Sequence, residues 1–216
     1  MPSRTPSTAP AAGTTTAAAP RLTARRRATR DRVLEAASEV FSERGFHGAS
    51  VEDICERAGF TRGAFYSNFA SKDELVLALS TRQMEAVVER ITAAARTEES
   101  PEAVLAAVLA ALADEPDRHE RSLLLTTEFT LHAIRDPEAR SAWAAQQRGV
   151  RAAVVAAVDD ALAARGLTLS VSTDQLVRVT MALSQATATQ RLVEPGALQT
   201  GELERLVLPL LLGLAS

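Results

Sequence analysis

Between residues 24 and 44 the apolar positions recur with a helical period. Val33, Ala37, Val40 and Phe41 stand at i, i+4, i+7 and i+8 and form one stripe. Gly45 follows Arg44, a natural left-handed stop. Ser50 then opens a second, short helix, with Asp53 three residues on to answer it as in a capping box. Val51, Ile54, Cys55 and Ala58 make its apolar side, and Gly59 ends it. Thr61 is placed to cap a third helix, from Arg62 to about Phe69, with Phe65 and Phe69 pointing inward at i, i+4. Ser71 caps a fourth (about 72–96), whose first turn carries Asp73 and Glu74, where the helix dipole favours acids.

Further helices follow. Pro101 is well placed at a helix start, and residues 101–113 are rich in Ala, Leu and Val. The stretch 118–135 is apolar nearly all round, which predicts a central helix. Asp136-Pro137 begins a long helix to about Arg165, closed by Gly166. Another spans 173–193 and is ended by Pro195-Gly196. From about 201 the chain carries Leu203, Leu206, Val207, Leu210, Leu211 and Leu214 on one stripe, with Leu208 and Leu212 on a second side. A helix apolar on two sides needs two partners, its own core and a second subunit. No segment has the two-residue period of a strand, so the fold class is all-α.

Composition agrees with helices. Aromatic residues are 4% of the chain and alanine is abundant. Cys55 is the single cysteine, which excludes an internal disulfide framework and zinc sites built on cysteine pairs. Its expected place is a small buried hydrophobe. No run of ~18 apolar residues suggests a membrane span. Residues 1–20 are Pro, Thr, Ser and Ala and cannot bury enough to offset ordering, so residues 1–22 are expected to be a disordered basic arm. Their small side chains do not form the apolar stretch of a signal peptide, so a cytoplasmic location is expected. Three histidines, no glycine-rich phosphate loop and no metal-ligand motif leave little for an enzyme to use.

The formal net charge of −3 conceals an asymmetry. Residues 1–34 hold seven arginines against one acid, Asp31, whereas residues 76–216 hold 13 arginines against 18 acids. One end of the molecule is therefore suited to a polyanion. Beside it lie two short helices joined through Ala58-Gly59, the arrangement of a helix-turn-helix. The third helix presents Arg62, Tyr66, Ser67 and Asn68 outward, side chains able to reach base edges or phosphates. Gly63 and Ala64 are small enough for close approach to a groove wall. Free N–H groups near Ser50 suit a phosphate oxygen, and Lys72, the one lysine, follows just after.

The stretch Arg32 to Leu75 resembles the N-terminal DNA-binding domain of the TetR/AcrR family of bacterial repressors. The resemblance rests on Gly45-Phe46, Ser50-Val51, Ala58-Gly59, Phe65-Tyr66, Phe69 and the run Ser71, Lys72, Glu74, Leu75. Glu128-Phe129 through Arg135-Asp136-Pro137-Glu138 is also similar to members of the family. It implies a three-helix DNA-binding domain (23–70) joined by a long helix to a helical ligand-binding and dimerisation domain (71–216). It further implies a ligand-responsive regulator, a repressor, binding double-stranded, near-palindromic operator DNA as a homodimer. An activator of the same fold, or a helical interaction module without DNA binding, stands as the alternative. Phosphate contacts would fall to Ser50, Tyr66 and Lys72, with Arg25, Arg26 and Arg27 adding to them. Base contacts would fall to Arg62, Gly63, Ala64, Ser67 and Asn68, beside Thr61. Ser67-Asn68 stands where the family often has His. No catalytic residue, cofactor, metal or membrane is implied. The effector is an unknown small molecule, with Phe129, His132, Trp143, Gln147, Met181 and Gln185 as candidate contacts. Dimerisation is expected through the last two helices, about 173–193 and 201–215. Glu128 and His132, at i, i+4, suit a local hydrogen bond better than a metal.

Overall fold

A computed structural model describes residues 24–97, 116–164, 166, 168–199, 201–203 and 206–207. Seven helices and no strand occur among them: α1 (Ala24–Gly48), α2 (Val51–Ala58), α3 (Arg62–Tyr66), α4 (Lys72–Thr97), α5 (Pro116–Arg135), α6 (Pro137–Ala163) and α7 (Thr173–Val193). The expected arm, the helix at 101–113 and most of the terminal leucine stripe lie outside the described residues.

Local signals place most helix ends. Ser50 and Asp53 form a reciprocal capping box, and Gly59 ends α2 in the left-handed region at φ 70°. The Thr61 side chain accepts the Ala64 N–H at 3.2 Å, and Ser71 Oγ accepts that of Glu74 at 3.2 Å. Asp136 caps α6, accepting the N–H groups of Glu138 and Ala139. Two ends differ from expectation. α1 continues past Gly45, which breaks it at φ 71°, ψ 174°, and one further turn runs to Gly48. α3 ends at Tyr66, three residues early, although the Phe69 N–H still reaches the Phe65 carbonyl at 2.9 Å.

The caps give the fold an acid limit. Hydrogen bonds from Ser50, then the Arg44 charge, hold the Asp53 carboxyl below its ordinary value of 3.8. The N–H groups of Ala139 and Glu138 lower Asp136 in the same way. A depressed carboxylate contributes stability that is complete above its unfolded value and is lost as pH falls through the folded one. The thermal midpoint should therefore drop as pH falls from about 5 to about 2. Asp53→Asn should flatten that drop in circular-dichroism melts; an equally steep drop would remove Asp53 from the cause.

Helix packing yields two apolar clusters. The first joins α1, α2, α3 and the start of α4 to α5 and α6: Phe41, Phe46, Phe65, Phe69 and Leu75 are continuous with Phe129, Ala133, Ala139 and Trp143. The second holds Ile91, Val154, Val158, Ala161 and Val177, between α4, α6 and α7. The first core thus crosses residue 70 without a seam. α5 is central, packing on α1, α6 and α7, but it does not bury every side. Leu123, Phe129 and Ala133 face inward, while Leu124, Leu131 and Ile134 are about half exposed. Among the described residues, the helices it meets leave the side of Leu124, Leu131 and Ile134 open.

Candidate nucleic-acid interface

At five residues α3 is too short to be stable alone, since nucleating a helical turn is unfavourable. Its position is set by burial. Phe65 and Phe69 are 0% and 1% exposed and pin one side of α3 to the core, which leaves Tyr66, next to Phe65, 50% exposed on the other. Gly59 makes the turn from α2, and Arg32 closes it by donating to the Ala58 carbonyl at 3.0 Å with its guanidinium over the Phe60 ring.

The outward residues form one surface. Arg62 is exposed and pairs with Glu52 of α2 at 2.5 Å. Hydrogen bonding to Tyr66, with the Glu52 charge, holds the Arg62 guanidinium more firmly protonated than usual. Gly63 is exposed, and a Cβ there would meet only Thr61 Oγ1 at 3.8 Å, an ordinary contact. No crowding among the described residues thus demands glycine at 63. Ala64 is half-buried and Thr61 exposed. Ser67 and Asn68 fold back on their own helix: Ser67 Oγ donates to the Gly63 carbonyl and Asn68 Nδ2 to that of Ala64, each at 2.8 Å. Arg25 and Arg27 are exposed at the start of α1.

Three expected contacts have partners within the protein. Arg26 Nη2 donates to the Ser67 carbonyl at 2.8 Å. Both Ser50 groups, N–H and hydroxyl, meet the Asp53 carboxylate. The Lys72 ammonium donates to the carbonyls of Phe46 (2.5 Å) and Ala49 (2.8 Å) and lies 4.5 Å from the Phe46 ring. Burial lowers its pKa against the opposing pull of Asp73 and Glu128. Lys72 thereby ties α4 to the Gly45-Phe46 turn.

The residues expected at an effector cavity scatter. Phe129 and Trp143 are 0% and 7% exposed and belong to the core shared with α1 to α3. His132 Nε2 lies 3.0 Å from Asp73 Oδ2 of α4, against the Phe46 ring. Among the described residues these three sit at the junction of the two parts, where α5 docks directly on α1. Met181 packs on the second cluster, Gln147 is half-buried and Gln185 is exposed. Glu128 does not bond to His132: its carboxylate accepts the Phe46 N–H at 2.5 Å. Sequence reasoning missed Arg30, Arg32 and this use of Glu128. The i, i+4 spacings 26/30 and 128/132 were the available signal, but not their distant partners.

Two short helices across a left-handed glycine, with an anchored second helix facing outward beside a basic first helix, define a helix-turn-helix protein. Residues 33–79 match the profile described as bacterial regulatory proteins, tetR family. Over 68 residues the chain is 43% identical to the transcriptional activator FasR of Mycolicibacterium smegmatis, covering 32% of this chain and 31% of FasR. Over 126 residues it is 33% identical to the transcriptional repressor AcnR of Corynebacterium diphtheriae, covering 58% of this chain and 61% of AcnR. The matches thus span about a third to three fifths of these relatives. Similar folds include a TetR-family regulator from Rhodococcus sp. (TM-score 0.69, 18% identity, 85% of this chain and 98% of that one). Another is FadR from Bacillus subtilis in complex with stearoyl-CoA (TM-score 0.63, 19% identity, 86% of this chain and 99% of that one). Among the described residues no helix is long and apolar enough to cross a membrane.

Proposed function

We propose that the protein is a cytoplasmic transcriptional regulator that binds a near-palindromic operator as a homodimer and represses until a small-molecule effector binds its C-terminal part. The observation that carries the DNA-binding reading is the outward set Arg62, Gly63, Ala64 and Tyr66 on a helix whose other side is locked by Phe65 and Phe69. Two such helices would enter successive major grooves about 34 Å apart. Dimerisation through 173–193 and 201–215 is supported by Val193 and Leu206, apolar yet 82% and 64% exposed. An effector contact in α7 is supported by Thr187, 3% exposed, whose hydroxyl has no hydrogen-bond partner among the described residues. Similarity to FasR favours activation as the second reading.

Fluorescence anisotropy on the intergenic DNA beside the protein's own gene, over a salt series with random DNA as control, tests this. Selective binding by two protomers is expected. Binding no tighter than to random duplex, there and in selection from a random library, would sink it. Arg62→Ala should cost about 1–3 kcal/mol on the operator and relax its sequence preference. Unchanged affinity would strip Arg62 of its role. A reporter fused to the promoter separates repression from activation.

A further inference from the structure

We propose that Arg26 is a positioning residue for the recognition helix: it fixes the Asn68 amide so that Asn68 reads the edge of an adenine, and it is not itself a phosphate contact. The inference rests on the reading of α3 as the element that meets bases.

The C-terminal end of any helix leaves carbonyls without intrahelical partners. In α3 two side chains of α1 take up the carbonyls that follow it. Arg26 Nη2 donates to Ser67 O at 2.8 Å, and Arg30 Nη1 donates to Asn68 O at 3.0 Å. Arg30 also lies 4.2 Å from the Phe69 ring centroid and 4.0 Å from Glu74. Residues 26 and 30 are one helical turn apart, so they act from one side of α1. Positive charge is favoured at this end of a helix dipole.

The second nitrogen of the Arg26 fork supplies the specific point. Arg26 Nε reaches Asn68 Oδ1 at 3.4 Å, while Asn68 Nδ2 donates to Ala64 O at 2.8 Å. Both ends of the amide are thereby held, and its plane is set. An asparagine amide has two N–H donors and an oxygen with two lone pairs. One donor and one lone pair are used internally, so one of each remains. That remaining pair matches the adenine edge in the major groove, which offers the N6 donor and the N7 acceptor. With Nε and Nη2 turned to Asn68 and Ser67, the edge of the guanidinium that would chelate a phosphate faces the end of α3 instead.

The test uses the full-length protein and duplexes selected by it from a random library. Wild type, Arg26→Ala, Arg26→Lys, Asn68→Ala and Arg26→Ala/Asn68→Ala are compared on the selected duplex, on each single-base-pair replacement, and across a KCl series. Arg26→Ala and Asn68→Ala should lose discrimination at the same A·T pair, by roughly 5- to 150-fold. The double variant should lose little more than either single one. Arg26→Lys, which keeps the charge but not the fork, should behave like Arg26→Ala, and the salt slope should stay at the wild-type value. The proposal is overturned if Arg26→Ala weakens binding to all duplexes equally and reduces the salt slope by about one, with Arg26→Lys restoring both. It is also overturned if the two single variants act at different base pairs. If wild type enriches no sequence at all, the DNA-reading assignment of α3 fails and takes this proposal with it.

Discussion

Gly45→Ala should destabilise the protein by about 2–6 kcal/mol, about 1–3 from backbone strain and about 1–3 from a lost hydrogen bond. At φ 71° and ψ 174° this residue occupies a region open essentially to glycine alone. A Cβ added there would stand 2.6 Å from Glu128 Oε1 and 2.7 Å from Oε2. The carboxylate would have to move, and the Phe46 N–H would lose its acceptor at 2.5 Å. The two costs can be separated by a double-mutant cycle. In a Glu128→Ala background the collision is gone, so Gly45→Ala should then cost less than in wild type. Urea unfolding of the four proteins measures this. Strict additivity would mean that Gly45 is needed for its conformation alone and that Glu128 does not depend on it.

Phe129→Ala should cost about 3–5 kcal/mol, the usual range for emptying a fully buried phenylalanine site. Its ring meets Phe46 and Trp143 edge to face, both at 5.1 Å between centroids. It is therefore a central link between the core of α1 to α3 and that of α5 and α6. In wild type the described parts should unfold in one transition, with fluorescence of the single tryptophan, Trp143, and far-ultraviolet circular dichroism coinciding. In Phe129→Ala both midpoints should fall, and the Trp143 signal should leave first. A variant melting like wild type would show that the shared core is not what joins the two parts.

These contacts bear on how an effector would reach DNA. Glu128 on the Phe46 amide, His132 on Asp73 and Phe129 in the core all project from α5 toward the DNA-binding part. A shift of α5 would thus be felt at the Gly45-Phe46 turn and at the first turn of α4. An effector changes operator affinity only by the difference in its binding to the two arrangements, about 5- to 150-fold for a coupling of 1–3 kcal/mol.

What the sequence by itself determined is local. Capping needs partners two to four residues apart, so Ser50 with Asp53, Thr61 with Ala64 and Ser71 with Glu74 could be read directly and are present. Periodicity likewise placed α7 at 173–193 and the inward pair Phe65 and Phe69. The DNA-binding motif was legible because its chemistry lies within one short stretch. Only the tertiary structure decided where long side chains end. Arg26 meets Ser67 across 41 residues, His132 meets Asp73 across 59, and Glu128 meets Phe46 across 82. No periodic pattern encodes such pairings, because they follow from which faces the helices turn toward one another. For the same reason Phe129, His132 and Trp143, all suited to a cavity by chemistry, lie at a junction. α5 packs against α1, and apolar and aromatic side chains fill that contact as readily as they would line a pocket.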